Sequence, residues 1–259
     1  MDKSSRLVVA AGWNVHAAIR RDPISISGVN YLSWGNISAP AVPDADQMST
    51  HHPTEEYLVH YAAGVLPEAQ AVLVAAHLTF CPACRATVRD AEALGGLFAE
   101  ATPSEVAGER VPDLETDISG MLPAPAQALL TGADTPAPLH PFIGARLADI
   151  PWRTFWPGMQ TARIATGDTS LDLRLLRLKP GLGMPVHTHG GDELTLVLQG
   201  SYTDETGQYR RGDVAMADDS LTHYPVADAG EPCICLTVIE APLKFRSPLA
   251  RLAAHLLFR

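Results

Sequence analysis

The stretch Gly181-Leu-Gly-Met-Pro-Val-His187-Thr-His189-Gly-Gly-Asp-Glu193-Leu-Thr-Leu-Val-Leu-Gln-Gly200 decides the architecture of the C-terminal half of this 259-residue chain. His187 and His189 are two residues apart, so on a strand both imidazoles leave the same face. Glu193 follows the turn signal Gly190-Gly191-Asp192 and opens the apolar run Leu194 to Leu198, which reads as a strand. Gly212 and His223 come later, and His223 would arrive from a separate strand. Three imidazoles and one carboxylate around an interior point suit Zn, Fe, Mn, Ni or Cu, and ligand hardness alone does not choose among them.

The flanking sequence supports this. From about Ile150 the pattern is one of strands: Ser170 to Leu178 largely alternates, and Cys233 to Ile239 is an apolar run. Turn signals such as Lys179-Pro180-Gly181 and Arg211-Gly212-Asp213 separate the strands, which argues for an all-β sandwich or barrel. The spacing of Gly181, His187, His189, Glu193 and Gly200 resembles the first cupin motif, G(x)5HxH(x)3E(x)6G. The second motif is matched only at Gly212 and His223. Asp218 and Ser220 stand where Pro and Gly are usual, and Ala227 replaces a frequent Asn, which puts the turn in doubt more than the ligand. Cupins include dioxygenases, isomerases and sugar-binding regulators, so the fold alone does not assign a function. Tyr202, Tyr209, Asp218 and His223 are candidates for the lining of a pocket. Cys233 and Cys235 share one face of their strand. They read either as buried small hydrophobes or as an oxidation-sensitive pair near the metal, and their i, i+2 placement argues against a disulfide between them.

A different ligand set lies upstream: His77-x3-Cys81-x2-Cys84, with His51 and His52 earlier. Residues 52–98 read as helices. Pro53-Thr54-Glu55-Glu56 is a helix start with a capping side chain and acids in the first turn. Pro67 opens a second helix, and Cys81-Pro82 a third that runs to Gly95-Gly96. At a helix start the Cys81/Cys84 spacing brings both sulfurs to one side, and the free N–H groups there favour thiolate. His77 lies one turn earlier. Tetrahedral zinc wants a fourth ligand. His52 is well placed, His51 next door offers the same chemistry, and His60 is mid-helix. A Cys-x2-Cys pair also marks redox motifs, but the βαβ context they need is missing. A unit this small has little core of its own, so zinc would supply much of its folding free energy.

The net charge of −10 is uneven: residues 51–135 carry twelve acids against three bases. That argues against direct nucleic-acid binding, which needs Lys and Arg, and suits a basic protein partner. No apolar run approaches a membrane span. Leu7 to Ala11 is too short a core for a secretory signal and lacks a convincing cleavage site, so a cytoplasmic location with no membrane contact is expected.

The helical zinc pattern, from His52 to about Leu97, resembles the zinc-containing anti-sigma factors. Followed by a single cupin, it resembles the ChrR family of zinc anti-sigma factors over about residues 48–245. The resemblance implies an α + β protein of two domains, a small zinc-binding helical domain followed by an all-β cupin (jelly-roll) barrel. It implies Zn held by His52, His77, Cys81 and Cys84, and a second metal, zinc foremost, held by His187, His189, Glu193 and His223. It also implies that the helical module holds an extracytoplasmic-function sigma factor inactive, with release when the cupin senses oxidative stress such as singlet oxygen. No catalytic residue is implied. The expected layout is an extension or mis-called start at 1–47 and an anti-sigma domain at 48–100. A linker at 101–141, with a short helix at 124–130, then leads to the cupin at 142–245 and a tail at 246–259 that could form a helix. The rival is a metal-dependent cupin oxygenase or hydrolase whose zinc module is a scaffold.

Overall fold

The computed structural model describes residues 49–101, 133–167 and 170–248. The expected extension at 1–47, the short helix at 124–130 and most of the 246–259 tail lie outside them. Among the described residues three helices come first, α1 (Glu55–Ala62), α2 (Glu68–Phe80) and α3 (Pro82–Ala101), with α4 (His140–Ile143) later between two 3-10 turns. Glu55 and Glu56 occupy the first turn of α1 as expected, where they complement the positive end of the helix dipole. Thr54, however, makes no side-chain cap; only its carbonyl takes part, accepting from the Leu58 N–H at 3.2 Å. Nor do Gly95 and Gly96 end α3. The helix continues to Ala101, because the good helix formers that follow outweigh two glycines at about 1 kcal/mol each.

Helix α2 is apolar on every side, for a structural reason. Ala69, Val72, Leu73 and Ala76 join the core of the β domain, while Val74, Ala75 and Leu78 pack with Leu58, Tyr61 and Val88 of the neighbouring helices. A helix buried on two sides shows no one-sided stripe. The helical module and the β domain therefore share α2 as a common wall. Residues 133–141, read from sequence as linker, also belong to this packing. Leu139 is fully buried against α2, and the Asp134 carboxylate accepts from the Leu147 N–H.

Twelve strands follow: β1 (Arg153–Trp156), β2 (Met159–Ile164), β3 (Asp172–Leu178), β4 (His187–Thr188), β5 (Glu193–Gln199), β6 (Ser201–Asp204), β7 (Gly207–Arg210), β8 (Val214–Ala217), β9 (Thr222–His223), β10 (Val226–Ala227), β11 (Cys233–Ile239) and β12 (Lys244–Phe245). They form a six-stranded antiparallel sheet in the order β1-β2-β3-β11-β5-β8 and two three-stranded sheets, β10-β6-β7 and β12-β4-β9. The large sheet is covered on both faces. Leu173, Leu175, Leu194, Leu196, Ile234, Leu236 and Val238 meet α2. The alternate residues Leu176, Leu178, Val197, Cys233 and Cys235 face the inside of the barrel. Double coverage explains why β11 is buried at every position and reads as a continuous apolar run. No helix among the described residues is long and apolar enough to cross a membrane.

Candidate metal centres

The upstream cluster forms where α2 hands over to α3. Cys81 ends the first helix in extended backbone, and Pro82 starts the next. The Cys84 N–H then points back at the Cys81 sulfur, 3.4 Å away. His77 is fully buried, and its Nδ1–H donates to the Gly212 carbonyl of the β domain at 2.8 Å. A carbonyl can only accept, so this bond fixes the tautomer and leaves Nε2 bare, 3.3 Å from the Cys84 Sγ. His52 brings Nδ1 to 3.4 Å from the Cys81 sulfur and 3.5 Å from that of Cys84. Ligand atoms of His52, His77, Cys81 and Cys84 all lie within 4.8 Å of one another. His51 turns away: its Nδ1 is 3.4 Å from the Asp213 carboxylate, and its ring lies 4.4 Å from Tyr209. His60 is exposed and takes no part.

Burial lowers the His77 pKa to about 4, against the pull of the Gly212 carbonyl and Asp213, so its lone pair is available at neutral pH. The expected thiolate bias of the helix start does not govern Cys84. Burial, with Cys81 alongside, pushes that thiol up to about 12. Deprotonation at Cys84 therefore needs a cation in the site, and a two-nitrogen, two-sulfur tetrahedral set suits zinc.

The second cluster lies inside the barrel. Strands β4 and β9 pair His187 directly with His223, and His189 follows two residues on. Each ring is held by its outer nitrogen. The His187 Nδ1–H donates to the Pro185 carbonyl at 2.9 Å, that of His189 to the Asp218 carbonyl at 3.0 Å, and that of His223 to the Asp204 carboxylate at 2.8 Å. With those protons committed outward, three bare Nε2 atoms converge, two of them (His187 and His223) 3.0 Å apart. Glu193 lies beside the triad, its Oε2 3.5 Å from the His189 Nε2. Neither of those two buried atoms has a hydrogen-bond partner among the described residues. Lone pairs and a carboxylate meeting with no proton to share are stabilised by a metal ion, so the donor set fits one. Burial lowers His187 to about 4 and raises Glu193, with His189 the largest opposing influence on the latter.

A pocket opens over the triad, lined among others by Met184, Tyr202, Cys233 and Cys235. Two residues expected there are elsewhere. Tyr209 stacks behind Tyr202 with ring centres 5.0 Å apart, and the Asp218 side chain is on the surface. Asp218 instead makes up for the missing Pro and Gly, accepting from the N–H and hydroxyl of Ser220 to close the turn. The Cys233 and Cys235 sulfurs lie 3.6 Å apart as free, buried thiols. Cys233 and burial hold the Cys235 thiol well above its usual range, so thiolate chemistry is suppressed there. Asp204, Gly212 and Asp213 escaped the sequence reading as partners of site residues. Asp204-Glu205-Thr206-Gly207 has the residue types of a turn, but nothing in it names His223.

Both regions of the chain match known families. The ChrR Cupin-like domain family matches residues 142–241, and a zinc-finger family matches residues 53–85. The anti-sigma-E factor ChrR of Cereibacter sphaeroides is 40% identical over 203 residues, covering 78% of this chain and 95% of that protein. The chain belongs to the ChrR family of anti-sigma factors. Among solved structures, ChrR crystallised with Rhodobacter sphaeroides SigE is similar, at 38% identity and a TM-score of 0.64, over 74% of this chain and all of that one. His187, His189 and His223 fall within the cupin match, and His77, Cys81 and Cys84 within the zinc-finger match, with His52 one residue ahead of it.

Proposed function

We propose that this ChrR-family protein binds and inhibits an extracytoplasmic-function sigma factor through its zinc-stabilised helical module, and frees it when the cupin senses oxidative stress such as singlet oxygen. The observation that carries this is the similarity, across the whole of the other chain, to a ChrR captured with a sigma factor. The acidic balance of residues 51–135 suits a basic partner and argues against direct nucleic-acid binding. Helix α3 adds an apolar face, with Leu94 and Leu97 58% and 63% exposed one turn apart. Partners of this kind work in the cytoplasm, which is the proposed location.

In this account His52, His77, Cys81 and Cys84 hold Zn and fix the turn between α2 and α3. His187, His189, His223 and Glu193 hold the second metal, zinc foremost, with Fe, Mn, Ni or Cu as alternatives. Such an ion would supply positive charge that holds the converging lone pairs and the Glu193 carboxylate together. Cys233 and Cys235, in the same pocket, are the candidate oxidation-sensitive pair and would react from the thiol state. Membership in an anti-sigma family favours this reading over a cupin oxygenase or hydrolase. The test is a full-length complex with an extracytoplasmic-function sigma factor from the same organism, illuminated with a photosensitiser. Release from the native protein but not from His187→Ala is expected. Equal release from both, or none from either, overturns the sensing role.

A further inference from the structure

The two clusters meet through one hairpin. Strands β6 and β7 pair Ser201 with Arg210 and Asp204 with Gly207. At the tip, Asp204 faces both ways. Its Oδ1 is fixed by the Thr206 N–H at 2.8 Å and the Thr206 hydroxyl, and its Oδ2 accepts the His223 Nδ1–H. At the other end the chain turns through Gly212, whose carbonyl takes the His77 Nδ1–H. The next residue, Asp213, takes the N–H groups of Thr50 and His51 on one carboxylate oxygen and that of Arg210 on the other. Between the ends runs Tyr209. Its hydroxyl is 2.9 Å from the Thr206 hydroxyl, and its ring packs against His51, next to His52.

We propose that the Asp204–Asp213 hairpin positions a ligand at each metal centre, His223 through Asp204 and His77 through the Gly212 carbonyl, and thereby couples the occupancy of the two. This rests on the reading that both clusters hold metal. Asp204 and Gly212 are positioning residues, since they act through the histidines. The coupling has a definite sign. Filling the cupin centre fixes His223, which fixes Asp204 and the hairpin tip, so Gly212 is already in place when His77 takes its ligand position. Each metal therefore tightens the other, by the same factor in both directions. Losing the cupin metal would loosen the helical centre without any contact between the two ions.

The test uses the full chain titrated with Co(II). The thiolate-to-cobalt absorption band arises only where cobalt meets sulfur ligands, here the His52/His77/Cys81/Cys84 cluster, and total bound metal gives the cupin centre by difference. In the native protein, cupin loading should tighten the thiolate centre about five-fold or more. Asp204→Asn should weaken the cupin centre about ten-fold or more, since removing such an outer partner commonly costs that much, and should abolish the coupling. Asp204→Glu should recover part of both. The reciprocal variant Cys84→Ser should weaken cupin loading by the native coupling factor. A cupin affinity unchanged in Asp204→Asn overturns the positioning role. A weakened cupin centre with the native thiolate titration unaffected by loading overturns the coupling. Native protein with no thiolate–cobalt band overturns the metal reading beneath both, and that outcome is separate from either.

Discussion

The Nδ1–H of His77 donates to the carbonyl oxygen of Gly212 across 2.8 Å, so a candidate ligand of the helical centre is oriented by the backbone of the β domain. The approach is close because residue 212 is glycine. Its φ is +94°, and a Cβ there would lie 2.7 Å from the Ser49 hydroxyl oxygen and 3.0 Å from the Phe80 Cβ.

Gly212→Ala should therefore cost about 2 kcal/mol or more, from strained backbone and overpacking together, and should also weaken metal binding at the helical centre. Urea unfolding and zinc competition on the purified variant check both effects. A native midpoint with native zinc affinity would show that the contact does not matter.

Leu73→Ala should lower stability by about 2–5 kcal/mol, the usual range for a fully buried leucine. Because α2 is shared, the loss should shift one cooperative transition seen alike by helical and near-ultraviolet circular dichroism. Two separated transitions, with only one displaced, would contradict a common core.

The metal-free protein should lose stability as pH falls from about 6.5 to about 4. His77 and His187 both have pKa values lowered from 6.5 to about 4 by burial. In that window the unfolded chain takes up protons that the folded chain refuses, so acid favours unfolding. The slope approaches about 1.4 kcal/mol per pH unit for each histidine and vanishes for these groups below about pH 4. Urea midpoints measured in chelator across that range check it; a flat profile between pH 7 and 4 would contradict it.

Much of this was legible in the chain itself. Regular spacing carries the Gly181-to-Gly200 segment, since period-two placement puts His187 and His189 on one face whatever surrounds them. Cys81 and Cys84 are readable for the same reason, as local helix geometry brings them together. What the sequence withheld depends on contacts between distant segments. Choosing His52 over His51 requires knowing that Asp213 claims His51. The length of α3 was missed because Gly95-Gly96 looked like a stop, although the residues beyond favour helix. Residues 133–141 looked like linker because prolines and acids dominate the preceding stretch, while the one residue that anchors them, Leu139, carries no periodic signal. Asp204 could not be paired with His223, nineteen positions away, without the hairpin that joins them.

The most direct test of the central claim is whether the full-length protein forms a 1:1 complex with an extracytoplasmic-function sigma factor from the same organism, measured by calorimetry with and without zinc chelation. The account predicts a tight complex that is lost on chelation and in Cys81→Ser, but kept in His187→Ala when zinc is in excess. A protein that carries zinc at the helical centre and still shows no binding would contradict it.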